Sequence, residues 1–152
     1  MATEMTVKVM KELIGKEVSV GDWLEVTQDR INQFADCTGD HQWIHGDSEK
    51  AAKGPFGKPI AHGFLTLSLL PALQSAIRFS VKGAKMGVNY GLNKVRFLSP
   101  VPVGSRIRIR GVLSGVEEKE GGRILFTYTN TIEIEGSEKP ACVAETLSLV
   151  YV

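Results

Sequence analysis

Apolar and polar positions divide the chain into two regimes. Between Gly63 and Val81 the larger apolar residues are Phe64, Leu65, Leu67, Leu69, Leu70, Leu73, Ile77 and Phe79, dense enough to leave little polar face in the first half. A helix apolar nearly all round is a buried helix, so one is predicted here. Pro71 lies inside it. A mid-helix proline removes a backbone hydrogen bond and clashes one turn back, so a kink or restart is expected at that point. After Gly83 the period changes to two. Val88 to Phe97 reads as a strand. Ile107, Ile109 and Val112 alternate with Arg106, Arg108 and Arg110, with a slip at Gly111. Ile124, Phe126, Tyr128, Ile132 and Ile134 share one face, and Val143, Leu147, Leu149 and Tyr151 close the chain in the same manner. These are half-buried antiparallel strands. Glu120-Gly-Gly-Arg123 and Glu135-Gly-Ser-Glu138 are turn signals between them.

The first third is more broken. Leu24 to Val26 suits a short strand. Thr27 then reads as an N-cap, and Arg30, Ile31, Phe34 and Ala35 follow with helical spacing. Gly39 suits the left-handed position that ends such a helix. Residues 40–60 form an irregular excursion punctuated by Gly46, Gly54, Pro55, Gly57 and Pro59, with one helical turn available at Asp47 to Ala52. One buried helix followed by long antiparallel strands that must cover it is an α+β arrangement.

At 152 residues the chain is most simply a single domain, residues 1–152, long enough to bury a sizeable core. Its formal net charge of +1 gives no bulk pull toward nucleic acid or a membrane surface. Met1 to Lys16 lacks the apolar core of a signal peptide, and no run of about 18 apolar residues occurs. Cys37 and Cys142 show neither CxxC spacing nor a disulfide framework, so a reducing, cytoplasmic setting is expected.

The chemistry concentrates in Phe34-Ala-Asp-Cys-Thr-Gly-Asp40-His-Gln-Trp-Ile-His45 and in Pro59-Ile-Ala-His62-Gly63. Taken alone, Asp40 and His45 read as local groups, one capping the next turn and the other a satisfied polar residue. Phe34, Trp43 and Ile44 shift that balance, because an apolar wall would desolvate the carboxylate and raise its pKa toward a catalytic range. Gly63 opens the buried helix, so its N–H lacks an intrahelical partner and is free to hold a developing oxyanion or simply to allow close packing. His62 either touches ligand or orients the loop. Asp40, His41, His45 and His62 fit no standard zinc spacing, and no metal is expected. Cys37 and Ser68 lie in apolar helical contexts without a nucleophile elbow. The Arg106, Arg108 and Arg110 stripe reads as a solvated strand face paired to Glu133 and Glu135, and Lys94 and Arg96 as surface charge.

In these segments the chain resembles the MaoC-like dehydratases, the (R)-specific enoyl-CoA hydratases. Their signature runs aromatic, spacer, Ser/Thr-Gly-Asp, any residue, Asn-Pro, aliphatic, His. Phe34, Thr38, Gly39, Asp40, Ile44 and His45 fall in that register. Pro59-Ile-Ala-His62-Gly63 resembles the family's entry to its central helix. Asn93-Lys-Val-Arg-Phe97 and Pro100-Val-Pro-Val-Gly104 are similar to the strand and turn that follow. Asp-His-Gln-Trp-Ile-His is most similar to the nodulation protein N-like branch. The chain departs from the signature at Gln42-Trp43, which replaces Asn-Pro. It also departs at Pro71, near the place of a pocket serine in some relatives.

The resemblance implies a single hot-dog fold, an antiparallel sheet wrapped around a long central helix, and a homodimer joined edge to edge. It implies reversible addition of water to a trans-2-enoyl-CoA, with Asp40 and His45 as the acid/base pair and Gly63 binding the thioester carbonyl. No cofactor beyond the coenzyme A of the substrate is implied. A hot-dog thioesterase and a non-catalytic acyl-thioester-binding module are the rival readings, and the Asp40/His45 pair beside Gly63 is the feature that speaks against both.

Overall fold

A computed structural model describes residues 3–74 and 79–152. The long strands are β5 (Met86–Phe97), β6 (Arg106–Lys119), β7 (Arg123–Ile134) and β8 (Cys142–Tyr151). With β2 (Glu17–Val20) they form a sheet in the order β2-β6-β7-β8-β5, antiparallel throughout, and the short β3 (Leu24–Glu25) pairs with β6. Gly121 and Gly122, both at positive φ, make the β6–β7 turn that the paired glycines predict. A separate two-stranded parallel pair joins β1 (Thr3–Met5) to β4 (Phe79–Val81).

The central helix is shorter than the apolar run. It consists of α5 (Gly63–Ser68) and α6 (Leu70–Leu73), interrupted at Leu69, with Pro71 in the first turn of the second piece. The restart expected from Pro71 is present, because proline is tolerated where a helix begins. Phe79 and Val81, expected in the helix, belong instead to β4. Ile77 lies outside the described residues. Phe64 is also not buried: it is 72% exposed and meets Phe97 edge-on, with ring centroids 6.2 Å apart.

Two apolar clusters pack against the inner face of the sheet. The larger packs Leu65, Leu69, Leu70 and Leu73 of the helix against Ile107, Ile109, Ile132 and Cys142. The smaller gathers Met10, Val81, Leu113, Ile124 and Phe126 beneath α1 (Val7–Lys11). Parity along β6 differs from the sequence reading. Ile107, Ile109, Gly111 and Leu113 all point inward, and Val112 shares the outer face with the arginines. The register slips between Leu113 and Gly115, not at Gly111. Gly111 keeps its inward place because Ser19 needs the room: a Cβ there would stand 2.5 Å from the serine Oγ. On β8 the core residues are Cys142, Ala144 and Val150, so the expected row of Val143, Leu147, Leu149 and Tyr151 is not the core row, and only Leu149 of that row is buried.

The arginine stripe is a paired strand face, as expected. Arg106 bonds Glu135 at 3.1 Å, Arg108 bonds Glu133 at 2.6 Å, and Arg110 bonds Glu133 at 2.8 Å and Glu17 at 3.2 Å. Burial opposes ionisation of Glu133, but the hydrogen bonds from Arg108 and Arg110 outweigh it and hold its carboxyl below the usual range. Arg108 also lies over the Trp23 ring at 4.4 Å.

Candidate active site

Local sequence chemistry delivers Asp40 to the site. The helix α2 (Gln28–Thr38) starts at Thr27, whose Oγ1 accepts from the Arg30 N–H, and ends at Gly39, with φ 80 in the left-handed region. Asp40 is the next residue, and its Oδ1 accepts from the Gln42 N–H at 3.3 Å. A single turn, α3 (Trp43–Gly46), then lifts His45 inward. The excursion continues through α4 (Ser48–Lys53), the helical turn expected there, which Asp47 caps.

Long-range bonds lock the loop in place. The Ile60 N–H donates to the Ile44 carbonyl at 3.0 Å, and His45 Nδ1 meets the Ile60 carbonyl at 2.7 Å. A carbonyl only accepts, so Nδ1 carries the proton and Nε2 keeps its lone pair. Gln28 Nε2 donates to the His45 carbonyl at 2.8 Å. Ala61 in turn donates to the Val101 carbonyl, which ties this strip to the loop after β5.

His62 crosses back to the same place. Its Nε2 donates to the Asp40 carbonyl at 3.0 Å, and its ring stacks on His45 with centroids 3.7 Å apart. Phe34 covers the other side of His62 at 4.9 Å. Of the two roles open to His62, the geometry matches orientation of the loop: it grips the Asp40 backbone and the His45 ring at once. One ligand atom from each of Asp40, His45 and His62 lies within 4.8 Å of the others. His45 and His62 are buried, whereas Asp40 is exposed. The apolar wall expected around the carboxylate is therefore not found among the described residues. Phe34 walls His62 instead, and Trp43 lies over Gly54, whose Cβ would be 3.0 Å from the indole.

These three groups lie close enough together to be candidate ligands for a metal ion, with the two imidazole rings stacked 23° from parallel. His41 stands apart, 3.7 Å from Asp36 on the surface. Cys142 is buried, and burial pushes its thiol up to about 11, which leaves it unsuited to act as a nucleophile.

Gly63 begins α5 directly after His62, and a Cβ on it would stand 3.2 Å from the Phe97 ring. The helix then runs into the wall of a cavity of about 560 Å3, at Leu67, Ser68, Leu70 and Pro71. None of Asp40, His45, His62 and Gly63 lines that cavity, so the helix is what links site and cavity. Pro71 does line it, in keeping with its expected place near a pocket position. Sequence reasoning missed Gln28 and the Ile60 carbonyl as the orienting groups, and no local pattern marks either. It also passed over Asn130, although this polar residue interrupts the inward row of β7 and is 1% exposed.

A long antiparallel sheet packed on a central helix is the hot-dog architecture, and here Asp40, His45 and His62 gather beside the start of that helix. The family profile described as MaoC like domain matches residues 9–135, and the chain belongs to the MaoC-like dehydratase family. The chain is 54% identical over 147 residues to 3-hydroxyacyl-thioester dehydratase Z of Mycobacterium tuberculosis, covering 97% of each chain. It is 43% identical to nodulation protein N of Rhizobium leguminosarum bv. viciae, covering 97% of this chain and 92% of that one. A solved structure of an Archaeoglobus protein described as a monoamine oxidase regulatory protein matches with a TM-score of 0.79 at 27% identity, covering 97% of this chain and 95% of that one.

Proposed function

We propose that this protein is a hydro-lyase that reversibly adds water to a trans-2-enoyl-CoA to give an (R)-3-hydroxyacyl thioester. The observation that supports the reading is that ligand atoms of Asp40 and His45 lie within 4.8 Å of one another, a span one water can bridge, with the His45 ring held by the Ile60 carbonyl. The similarity to a 3-hydroxyacyl-thioester dehydratase along nearly the whole chain supports it.

In the forward step His45 Nε2 takes a proton from the water as its oxygen bonds to C3. The electron pair of the double bond moves through C2 onto the thioester oxygen. Gly63 directs its N–H at that oxygen, where the enolate charge collects. Asp40 carries the proton exchanged at C2, and transfer between the two side chains closes the proton count. The scheme uses no metal or redox group, and coenzyme A stays attached through the thioester from substrate to product.

The test is purified protein with crotonyl-CoA. Loss of the enoyl absorbance and an (R) product by chiral analysis are expected, while release of free thiol would make the protein a thioesterase and binding without turnover a carrier module. Gly63→Val is expected to lower hydration at least about tenfold in a folded protein, because the side chain meets Phe97 and displaces the oxyanion donor. Unchanged turnover would remove Gly63 from the site. His62→Ala is expected to lower kcat about tenfold or more with little change in KM, since it loosens the Asp40 backbone and the His45 ring without touching substrate. An equal rise in KM with kcat intact would make it a binding residue instead.

The reading includes a homodimer in the cytoplasm. Among the described residues β5 is the end strand of its sheet, with Met86, Val88, Tyr90 and Leu92 exposed along it, the last two also bordering the cavity beside the central helix. A second β5 laid against it would satisfy the backbone groups of that edge and cover the side chains. Unpaired Cys37 and Cys142 fit a reducing compartment. Among the described residues no helix is long and apolar enough to cross a membrane.

A further inference from the structure

Resting on that hydro-lyase reading, we propose that the cavity along the central helix takes an acyl chain bearing an oxygen, as a hydroxyl or keto group, several carbons beyond the reacting double bond.

The cavity stands in the right place for the acyl tail. Leu67 lines it four residues after Gly63, about 6 Å along the helix at 1.5 Å per residue. Its volume of about 560 Å3 is that of a site for a whole small molecule. A four-carbon enoyl chain, which ends one carbon past its double bond, leaves most of it empty.

Both walls mix apolar and polar groups. The helix side has Leu67, Leu70 and Pro71 with Ser68 among them. The sheet side has Leu92 and Leu147 together with the hydroxyls of Tyr128, Thr146 and Ser148, and Gln74 adds an amide at the end of the helix. Behind this wall Asn130 is 1% exposed, in a row whose other members are mostly apolar. Asn130 Nδ2 donates to Thr146 Oγ1 at 2.9 Å, and Asn130 Oδ1 accepts from Gln74 Nε2 at 3.3 Å. The thread leaves the Thr146 hydroxyl a donor and the Gln74 carbonyl an acceptor, both belonging to residues that line the cavity. Burial pushes the Tyr128 phenol up to about 12, so it too remains a donor at neutral pH. Tyr128 and Ser148 also border a second cavity of about 290 Å3, so hydroxyls mark the partition between the two spaces.

A plain alkyl tail would strip water from these groups and leave them unpaired, which a buried polar group resists strongly. An oxygen on the chain restores the bonds. A hydroxyl restores the most, because it accepts from Thr146 and donates to Gln74.

The experiment compares kcat/KM for trans-2-octenoyl-CoA and for the same chain with a terminal hydroxyl, with crotonyl-CoA as the short control. The native protein is expected to favour the hydroxylated chain at least about tenfold, the scale of one buried hydrogen bond lost. Gln74→Leu with Thr146→Val is expected to abolish or invert that preference while crotonyl-CoA turnover stays within about twofold, which also reports that the variant folds. Equal rates on the two long chains in the native protein overturn the inference without any variant. A preference that survives both substitutions overturns it as well. Failure to hydrate any of the three thioesters overturns the hydro-lyase reading and this inference with it, whereas hydration without discrimination overturns the inference alone.

Discussion

Asp40→Asn and His45→Gln each lower crotonyl-CoA hydration by at least about a hundredfold, the scale on which removal of a general acid or base acts. Neither substitution threatens the fold. Asp40 is exposed, and among the described residues its side chain accepts only from the Gln42 N–H within the same loop. His45 is buried, and Gln fills the same place with an amide whose N–H reaches the Ile60 carbonyl once the side chain turns, since that nitrogen is one bond further out than Nδ1. The losses therefore belong in kcat, with the far-ultraviolet spectrum and thermal midpoint near those of the native protein. Because the two groups pass one proton between them, the double variant is expected to lose little more than either single variant. A folded single variant with full activity removes that residue from the chemistry, and two such variants end the hydro-lyase assignment.

Leu113→Ala lowers stability by about 3 kcal/mol, whereas Val112→Ala costs less than about 1 kcal/mol. Leu113 is fully buried in the cluster beneath α1, so truncation leaves a cavity that the sheet cannot close. Val112 sits one residue away on the outer face, beside Glu17 and Thr129 on the neighbouring strands. For a chain of this length the first change shifts the melting midpoint by roughly 6–12 °C and the second by a few degrees at most. Urea unfolding of both variants measures the difference. Equal costs, or a larger cost at Val112, would mean that β6 turns its other side to the core.

That pair of variants also marks a limit of reading strands from spacing. Period two is legible along β6, but where the period slips is not. The arginines end at Arg110, and Gly111 is the obvious place for a slip on paper. In the folded chain Gly111 stays inward to make room for Ser19, and the irregularity falls between Leu113 and Gly115. The fact that decides this lies on another strand. The central helix offers a similar case. The density of apolar residues marks a buried helix, and Pro71 marks its restart, but nothing in the run of Leu, Ile and Phe separates the helix from Phe79 and Val81, which pair with Thr3 and Met5 at the opposite end of the chain. Asn130 differs, because a lone amide in an apolar alternation is visible in the sequence, and only its partners Gln74 and Thr146 are not.

By itself the sequence determined the local parts: the Thr27 cap, the left-handed stop at Gly39, the placement of Asp40 just beyond it, the glycine turns and the alternating strands. Each depends on capping, φ limits or periodicity, forces that act between residues within a turn or two of one another. Only the tertiary structure decided the tautomer of His45, the grip of His62 on the Asp40 backbone, the side of β6 that faces inward and the polar groups that line the cavity. Those depend on hydrogen bonds and packing between residues far apart along the chain, and such contacts exist only once the sheet register has brought their partners together.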